Sequence, residues 1–493
     1  LALVLHFDPS CVKDYERFLA VKQLPKYRIV GTSAEFPDEY AASLGLAKAE
    51  KKAEKTRLSS FLMDYQRDIA AMAIKKRKFA VFADCGLGKT LIMTEFARHA
   101  ARHTKKRVLL LSPLMVVSQT VAEWERWYGD KDIQIVAAAE LPEWLRTGKG
   151  IAITNYEAIT EDLPQSELGG LLLDESSMLK SHYGAWGTRL IEMGKGVEYK
   201  LALTGTPAPN DRIEYANHAV FLDAFPTVNS FLARFFVNRG QTNERWELKS
   251  HALKPFYKAM THWCVFLTNP ATYGWRDNCN TTPPIHIHVE TVPTTQAQRE
   301  YFMAMTGDMF VNETGGIANR GKIARLGKGH VGKERIESNK TEYIKRLVES
   351  WPDESTIVWC KYNNEQDDVS AALEGCGNIT GETPLEERLR IIDAFKRREI
   401  RVLVTKPKIL GFGLNLQVAT RQVFAGLQDS YEEFYQAVKR SNRIGSTRPL
   451  NVHIPVTEFE APMIETVLAK AKRVDADTRQ QEEMFREQFA NRK

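Results

Sequence analysis

Cysteine is scarce: the 493 residues include only six, and no two of them form a Cys-x-x-Cys pair. Cys11, Cys85, Cys264, Cys279, Cys360 and Cys376 are scattered, which argues against both a structural zinc site and a disulfide framework. A reducing cytoplasm fits this pattern best. Long apolar runs are missing as well. Runs such as Val108–Leu111 and Leu171–Leu173 fall far short of the roughly 20 residues a bilayer span requires, so no membrane association is expected. The opening LALVLHF is too short for a signal-peptide core. Charge of one sign is not in marked excess: 68 Lys and Arg against 62 Asp and Glu leave +6, compatible with a polyanionic partner without requiring one. No short-period repeat or low-complexity tract occurs. The 43% hydrophobic and 26% charged content is that of a globular protein, and the length implies two or three domains.

Short apolar runs alternate with longer helical stretches between Phe79 and Gly205: FAVFA, RVLLLSP, GIAITN, GLLLDE and YKLALTG. Buried runs that end in polar residues or glycine and lead into helices describe a parallel sheet with crossovers. The pattern returns as STIVWCK, GNITG, IRVLVTK, RQVFAG and LNVHIPV. The expected class is therefore α/β, with two parallel-sheet lobes in series. Residues 1–60 read as a small N-terminal module and connector, and 61–285 as lobe 1 with an aromatic-rich helical insertion over about 211–285. Residues 286–460 read as a linker and lobe 2, and 461–493 as a helical tail. A Gly-interspersed basic segment, Asn319 to Arg335, lies in the linker and carries Arg320, Lys322, Arg325, Lys328, Lys333 and Arg335.

Four stretches carry chemistry. In VFADCGLGKTLIM, an apolar strand leads into a glycine-containing loop and then a helix, so that backbone N–H groups and a helix N-terminus converge on one point. Such a loop cradles phosphate. Asp84, Cys85, Gly86, Leu87, Gly88, Lys89 and Thr90 are its candidate nucleotide contacts, with Lys89 neutralising the β and γ phosphates and Thr90 ligating Mg²⁺. In LLLDESSMLK, Asp174 and Glu175 end a buried strand and can divide the work, one holding Mg²⁺ and the other polarising water. Thr204, Gly205 and Thr206 end a third run in LALTGTPAPN. In YQAVKRSNRIGSTR, Gln436, Arg440 and Arg443 are candidate catalytic groups. The two arginines, three apart, would share one helix face and act as bidentate arginine fingers.

The series MDYQRD, ADCGLGKT, LLLSPLMVVSQTVAEWERW, ITNYEAI, DESSMLK, TGTPAPN, LGFGLNLQ and QAVKRSNRIGSTR resembles the Swi/Snf-like branch of helicase superfamily two across about residues 61–460. QAVKRSNRIG is similar to the QAxxRxxRIG pattern of that branch, and TGTPAPN to its TGTPLQN. DESSMLK stands where chromatin remodellers have DEAH, and in this respect the chain looks like compact phage-borne members. The resemblance implies two RecA-like lobes, ATP and Mg²⁺ in the cleft between them, and ATP-driven movement along double-stranded DNA. Two alternative readings stand beside it: a strand-separating or fork-remodelling helicase, with forked DNA and replication or recombination proteins as partners, and a nucleotide-gated DNA-binding switch with little hydrolysis. By motif, Tyr65 and Gln66 would contact the adenine side. Lys89, Thr90, Asp174 and Glu175 would form the hydrolytic site of lobe 1, and Gln436, Arg440 and Arg443 the contribution of lobe 2. Gly411, Gly413 and Asn415 would couple nucleotide to DNA, with Gly413 also on the nucleotide side.

Overall fold

The structure is a computed structural model. It describes residues 2–46, 57–164, 167–180, 185–209, 211–240, 245–276, 282–306, 317–332, 334–410, 414–426, 430–443 and 446–490.

The apolar runs of the first half form a seven-stranded sheet. From edge to edge its strands are Cys264–Leu267, Lys78–Ala83, Tyr199–Thr204, Leu168–Asp174, Arg107–Ser112, Ile151–Asn155 and Ile133–Ile135, all parallel. Leu109, Leu110, Leu172 and Leu201 are each fully buried, because helices cover both faces of the sheet and leave no solvent face on which polar residues could alternate. One strand, Cys264–Leu267, comes from the stretch expected to be a helical insertion. Three helices, Tyr215–Phe221, Val228–Phe235 and Leu253–Met260, do occur there. The chain then re-enters the sheet beside the phosphate-loop strand, because the apolar run CVFL can be buried on both faces at that edge.

The second half forms a six-stranded parallel sheet in the order Ile285–Thr291, Leu450–Val456, Arg421–Phe424, Thr356–Trp359, Val402–Thr405 and Gly377–Asn378. In both sheets the strand order departs from the chain order, and the loops at the strands' C-terminal ends line the crevice where open α/β sheets bind ligands.

Residues 2–46 make a separate three-stranded antiparallel sheet with the helix Val12–Lys22. It rests on lobe 1 through the Tyr40 hydroxyl, 2.7 Å from His262 Nδ1, and through an ion pair between Glu39 and Lys76. The C-terminal helix, Ala461–Ala490, spans both lobes. Ile464 and Val467 belong to the lobe 2 core, while Phe485 enters the lobe 1 core against Phe266 at a ring distance of 5.1 Å. A 30-residue helix of this kind is about 45 Å long, enough to cross the junction of two domains.

Candidate functional site

The strand Lys78–Ala83 ends at the phosphate loop, and the helix Lys89–Thr104 begins at its last residues. Gly86 and Gly88 have φ of 87° and 66°, in the left-handed region where a side chain would be strained. Gly88 is doubly constrained, since a Cβ there would lie 2.1 Å from Gln66 Nε2. Gln66 and Tyr65 thus brace the loop. Gln66 Oε1 accepts the N–H of Met63 at 3.0 Å, and the Tyr65 hydroxyl donates to the Leu87 carbonyl at 3.1 Å. Leu87 is anchored in the lobe 1 core. The Lys89 ammonium folds back on its own loop, donating to the carbonyls of Ala83 at 2.9 Å and Asp84 at 3.4 Å.

The acid pair lies where the strand Leu168–Asp174 ends, one strand beyond Tyr199–Thr204 in the sheet, and both carboxyls are largely buried. Ser112, at the end of the next strand, donates to Asp174 Oδ2 at 2.9 Å, and the Tyr156 hydroxyl donates to the Asp174 carbonyl at 2.7 Å. Burial, and then the neighbouring Glu175 charge, push the Asp174 carboxyl up to about 6, against the Ser112 bond and the Lys89 charge. Glu175 has a φ of 51°, a strained conformation for a residue with a side chain. That turn directs its carboxylate to Thr204, whose hydroxyl donates to Glu175 Oε2 at 3.2 Å. A single divalent cation would suit this geometry, because Mg²⁺ beside phosphates needs only one or two protein oxygens. No cluster of three or more His, Cys, Asp or Glu with metal-holding geometry occurs among the described residues.

Lobe 2 reaches this site through the helix Tyr431–Ser441, whose Glu432, Tyr435, Gln436, Lys439 and Arg440 recur at helical spacing and so share one face. Glu432 pairs with Lys180 and accepts the Thr206 hydroxyl at 3.3 Å. Gln436 Nε2 donates to Thr206 Oγ1 at 3.0 Å. Asp84 receives the Tyr435 hydroxyl on Oδ1 and the Lys439 ammonium on Oδ2, the latter at 3.0 Å. Arg440 is buried, donating to Gln436 Oε1 at 2.9 Å and to the Leu414 carbonyl at 3.4 Å, with Cys85 Sγ 3.7 Å away.

One expectation needs correction. Arg443 does not share a helix face with Arg440, because the helix ends at Ser441 and Asn442 is extended. There the Ser446 hydroxyl caps the Ser441 carbonyl at 2.8 Å. The two guanidiniums still meet, through the Leu414 carbonyl that Arg443 also reaches at 3.3 Å. In the basic linker segment, Lys328 points inward. Its ammonium donates to Glu460 Oε1 at 2.6 Å and is sealed from solvent together with Lys340. Arg325 is exposed over the Tyr362 ring. Gly411 and Gly413 lie outside the described residues. Asn415 donates to Gln417 at 3.0 Å.

Sequence reasoning did not single out Ser112, Tyr156, Lys180, Glu432, Tyr435 or Lys439. For the last three, the spacing from Glu432 to Arg440 was a usable signal. The others are placed only by the sheet order.

The chain thus consists of two tandem RecA-like lobes that meet at a phosphate loop. It belongs to the SNF2-related family: the SNF2-related domain matches residues 65–347, and the helicase conserved C-terminal domain follows at 339–445. The mouse DNA annealing helicase and endonuclease ZRANB3 is 22% identical over 419 residues, covering 80% of this chain. This chain spans only 38% of that relative's length. Protein p41 of Acyrthosiphon pisum secondary endosymbiont phage 1 is 24% identical over 433 residues, covering 79% of this chain and 91% of p41. A solved structure of the Sulfolobus solfataricus SWI2/SNF2 ATPase core in complex with dsDNA superimposes with a TM-score of 0.40 at 18% identity, over 83% of this chain and 90% of that one. No helix among the described residues is long and apolar enough to cross a membrane.

Proposed function

We propose that the protein is a DNA-dependent ATPase that converts hydrolysis between its lobes into movement along double-stranded DNA. The observation that carries this reading is the meeting of the helix Tyr431–Ser441 with the phosphate loop. A site shared between lobes makes hydrolysis and lobe motion one event. Lys89 exchanges its loop carbonyls for the β and γ phosphate oxygens of ATP. Thr90 and Asp174 would hold Mg²⁺, which would neutralise charge on the transferring phosphoryl group. Glu175, aimed by its strained turn and by Thr204, orients the attacking water and takes its proton. Arg440 and Arg443 stabilise charge developing on the phosphate oxygens, and Tyr65 and Gln66 flank the adenine side.

Basic side chains along the lobes hold the DNA backbone, so binding weakens steeply with salt and has little sequence preference. The names of the relatives, a DNA annealing helicase among them, support a DNA track. On this reading the motor works in the cytoplasm, alongside replication or recombination proteins. The test is ATP turnover against a panel of duplex, forked and single-stranded DNA and RNA, with strand displacement measured in parallel. Stimulation by duplex DNA without displacement is expected. Stimulation by single strands alone overturns the translocase reading.

A further inference from the structure

We infer that Asp84, Lys439 and Tyr435 form a latch by which lobe 2 positions the phosphate loop for hydrolysis. This inference rests on the ATPase reading and names residues that the reading leaves without a role. Asp84 sits inside the loop, between the strand end at Ala83 and the glycine turn. Its carboxylate accepts the N–H of its own neighbour Cys85 at 2.6 Å, and it also takes the Lys439 ammonium and the Tyr435 hydroxyl from the other lobe. Its main-chain carbonyl is one of the two that hold the Lys89 ammonium. One residue therefore links the lobe 2 helix to the loop backbone and to the phosphate-binding lysine. Lys439 and Tyr435 are positioning residues, acting on the reacting atoms only through Asp84.

The latch is built to open. The Lys439 and Asp84 side chains retain 20% and 19% of their exposure, and a cavity of about 430 Å³ adjoins them, bounded by Thr206, Tyr431 and the C-terminal helix. This cavity does not reach Lys89 or the acid pair. It lies beside the contact and leaves room for the helix to shift. Burial works against both charges, yet each holds the other ionised: Asp84 lies below the usual carboxylate range and Lys439 above the usual ammonium range. Arg440 shares the helix face with Lys439 and stands one turn from Gln436. A shift of the helix that breaks the latch therefore withdraws the arginine as well. With the latch made, the loop and the arginine approach the phosphates in register.

The test is steady-state ATP turnover at saturating duplex DNA for the full chain carrying Lys439→Met, Asp84→Asn, Lys439→Arg, Tyr435→Phe, or Lys439→Met with Asp84→Asn. Circular dichroism and thermal melting verify folding. Lys439→Met and Asp84→Asn should each lower kcat about tenfold or more, the range of a lost charge-assisted contact. KM for ATP should change less than about threefold, because the phosphate cradle remains. The double variant should fall no further than the weaker single variant, since both changes break one contact. Lys439→Arg should recover most of the rate, and Tyr435→Phe should cost less than either charge change. Single variants with unchanged kcat, a loss confined to KM, or losses that multiply in the double variant overturn the latch. Absence of turnover in the unaltered protein overturns the ATPase reading instead.

Discussion

Lys340 and Lys439 each end on a carboxylate contributed by a distant part of the chain, and the two pairs differ in their surroundings. Lys340 meets Glu460 at 2.7 Å, with side-chain exposures of 4% and 3%. Lys328 joins the same carboxylate, so the cluster ties the linker, the helix Lys340–Glu349 and the start of the C-terminal helix into one body. Lys439 meets Asp84 at 3.0 Å, across the lobe junction and beside open space. Ions stripped of water are costly to separate, because breaking the pair leaves an uncompensated buried charge. A pair that retains contact with solvent separates at much smaller cost. The same two chemical groups thus make a fixed joint within lobe 2 and a separable one between the lobes.

The comparison can be broken from the cleft side first, where the largest effects are expected. Glu175→Gln and Arg443→Ala should each lower ATP turnover roughly a thousandfold, with melting temperatures close to that of the parent. Turnover within tenfold of the parent would sink either assignment. On the fixed side, Glu460→Gln removes the carboxylate that Lys328 and Lys340 share and should cost about 3–5 kcal/mol in chemical denaturation. If that variant is as stable as the parent, the cluster is not a joint. Phe485→Ala removes the ring that anchors the C-terminal helix in lobe 1. It should cost about 3 kcal/mol, read in the same experiment.

Acid should sharpen the contrast. Burial opposes ionisation of Glu460, but the two ammonium groups outweigh it and hold the carboxyl down to about 2, against an ordinary 4.5. A folded-state value below the unfolded one contributes stability that is present above about 4.5 and is lost as pH falls through 2. Stability measured across that window should decline more steeply in the parent than in Glu460→Gln. The smallest effect is expected at an exposed pair: Arg390→Ala, which removes the partner of Glu387, should leave the denaturation midpoint unchanged within error.

Much of the lobe architecture was legible in the residues. All ten apolar runs contain strands, because a segment such as VLLLS can be buried on both faces only inside a covered parallel sheet. The phosphate loop was legible for a similar reason: its glycines answer local backbone demands at Gly86 and Gly88. Lys328 was not. A lysine among glycines and arginines looks solvated, and Glu460, 132 positions away, draws it inward. Arg443 misled in another way, since a spacing of three suggests a shared helix face only while the helix continues, and this helix stops at Ser441. The strand Cys264–Leu267 was hidden inside a stretch dominated by aromatic helices, where the length of an apolar run does not reveal its sheet partner.

By itself, the sequence determined the two parallel-sheet lobes, the phosphate loop and the acid pair. Each depends on interactions within a short span: alternation of buried runs with helices, glycine at positive φ, and carboxylates at a strand end. The tertiary structure alone decided which charges meet. Asp84 faces Lys439, Glu432 faces Lys180, and Glu460 gathers two lysines. Whether such a pair is a joint or a latch depends on how much water remains beside it, and burial is a property of the assembled fold.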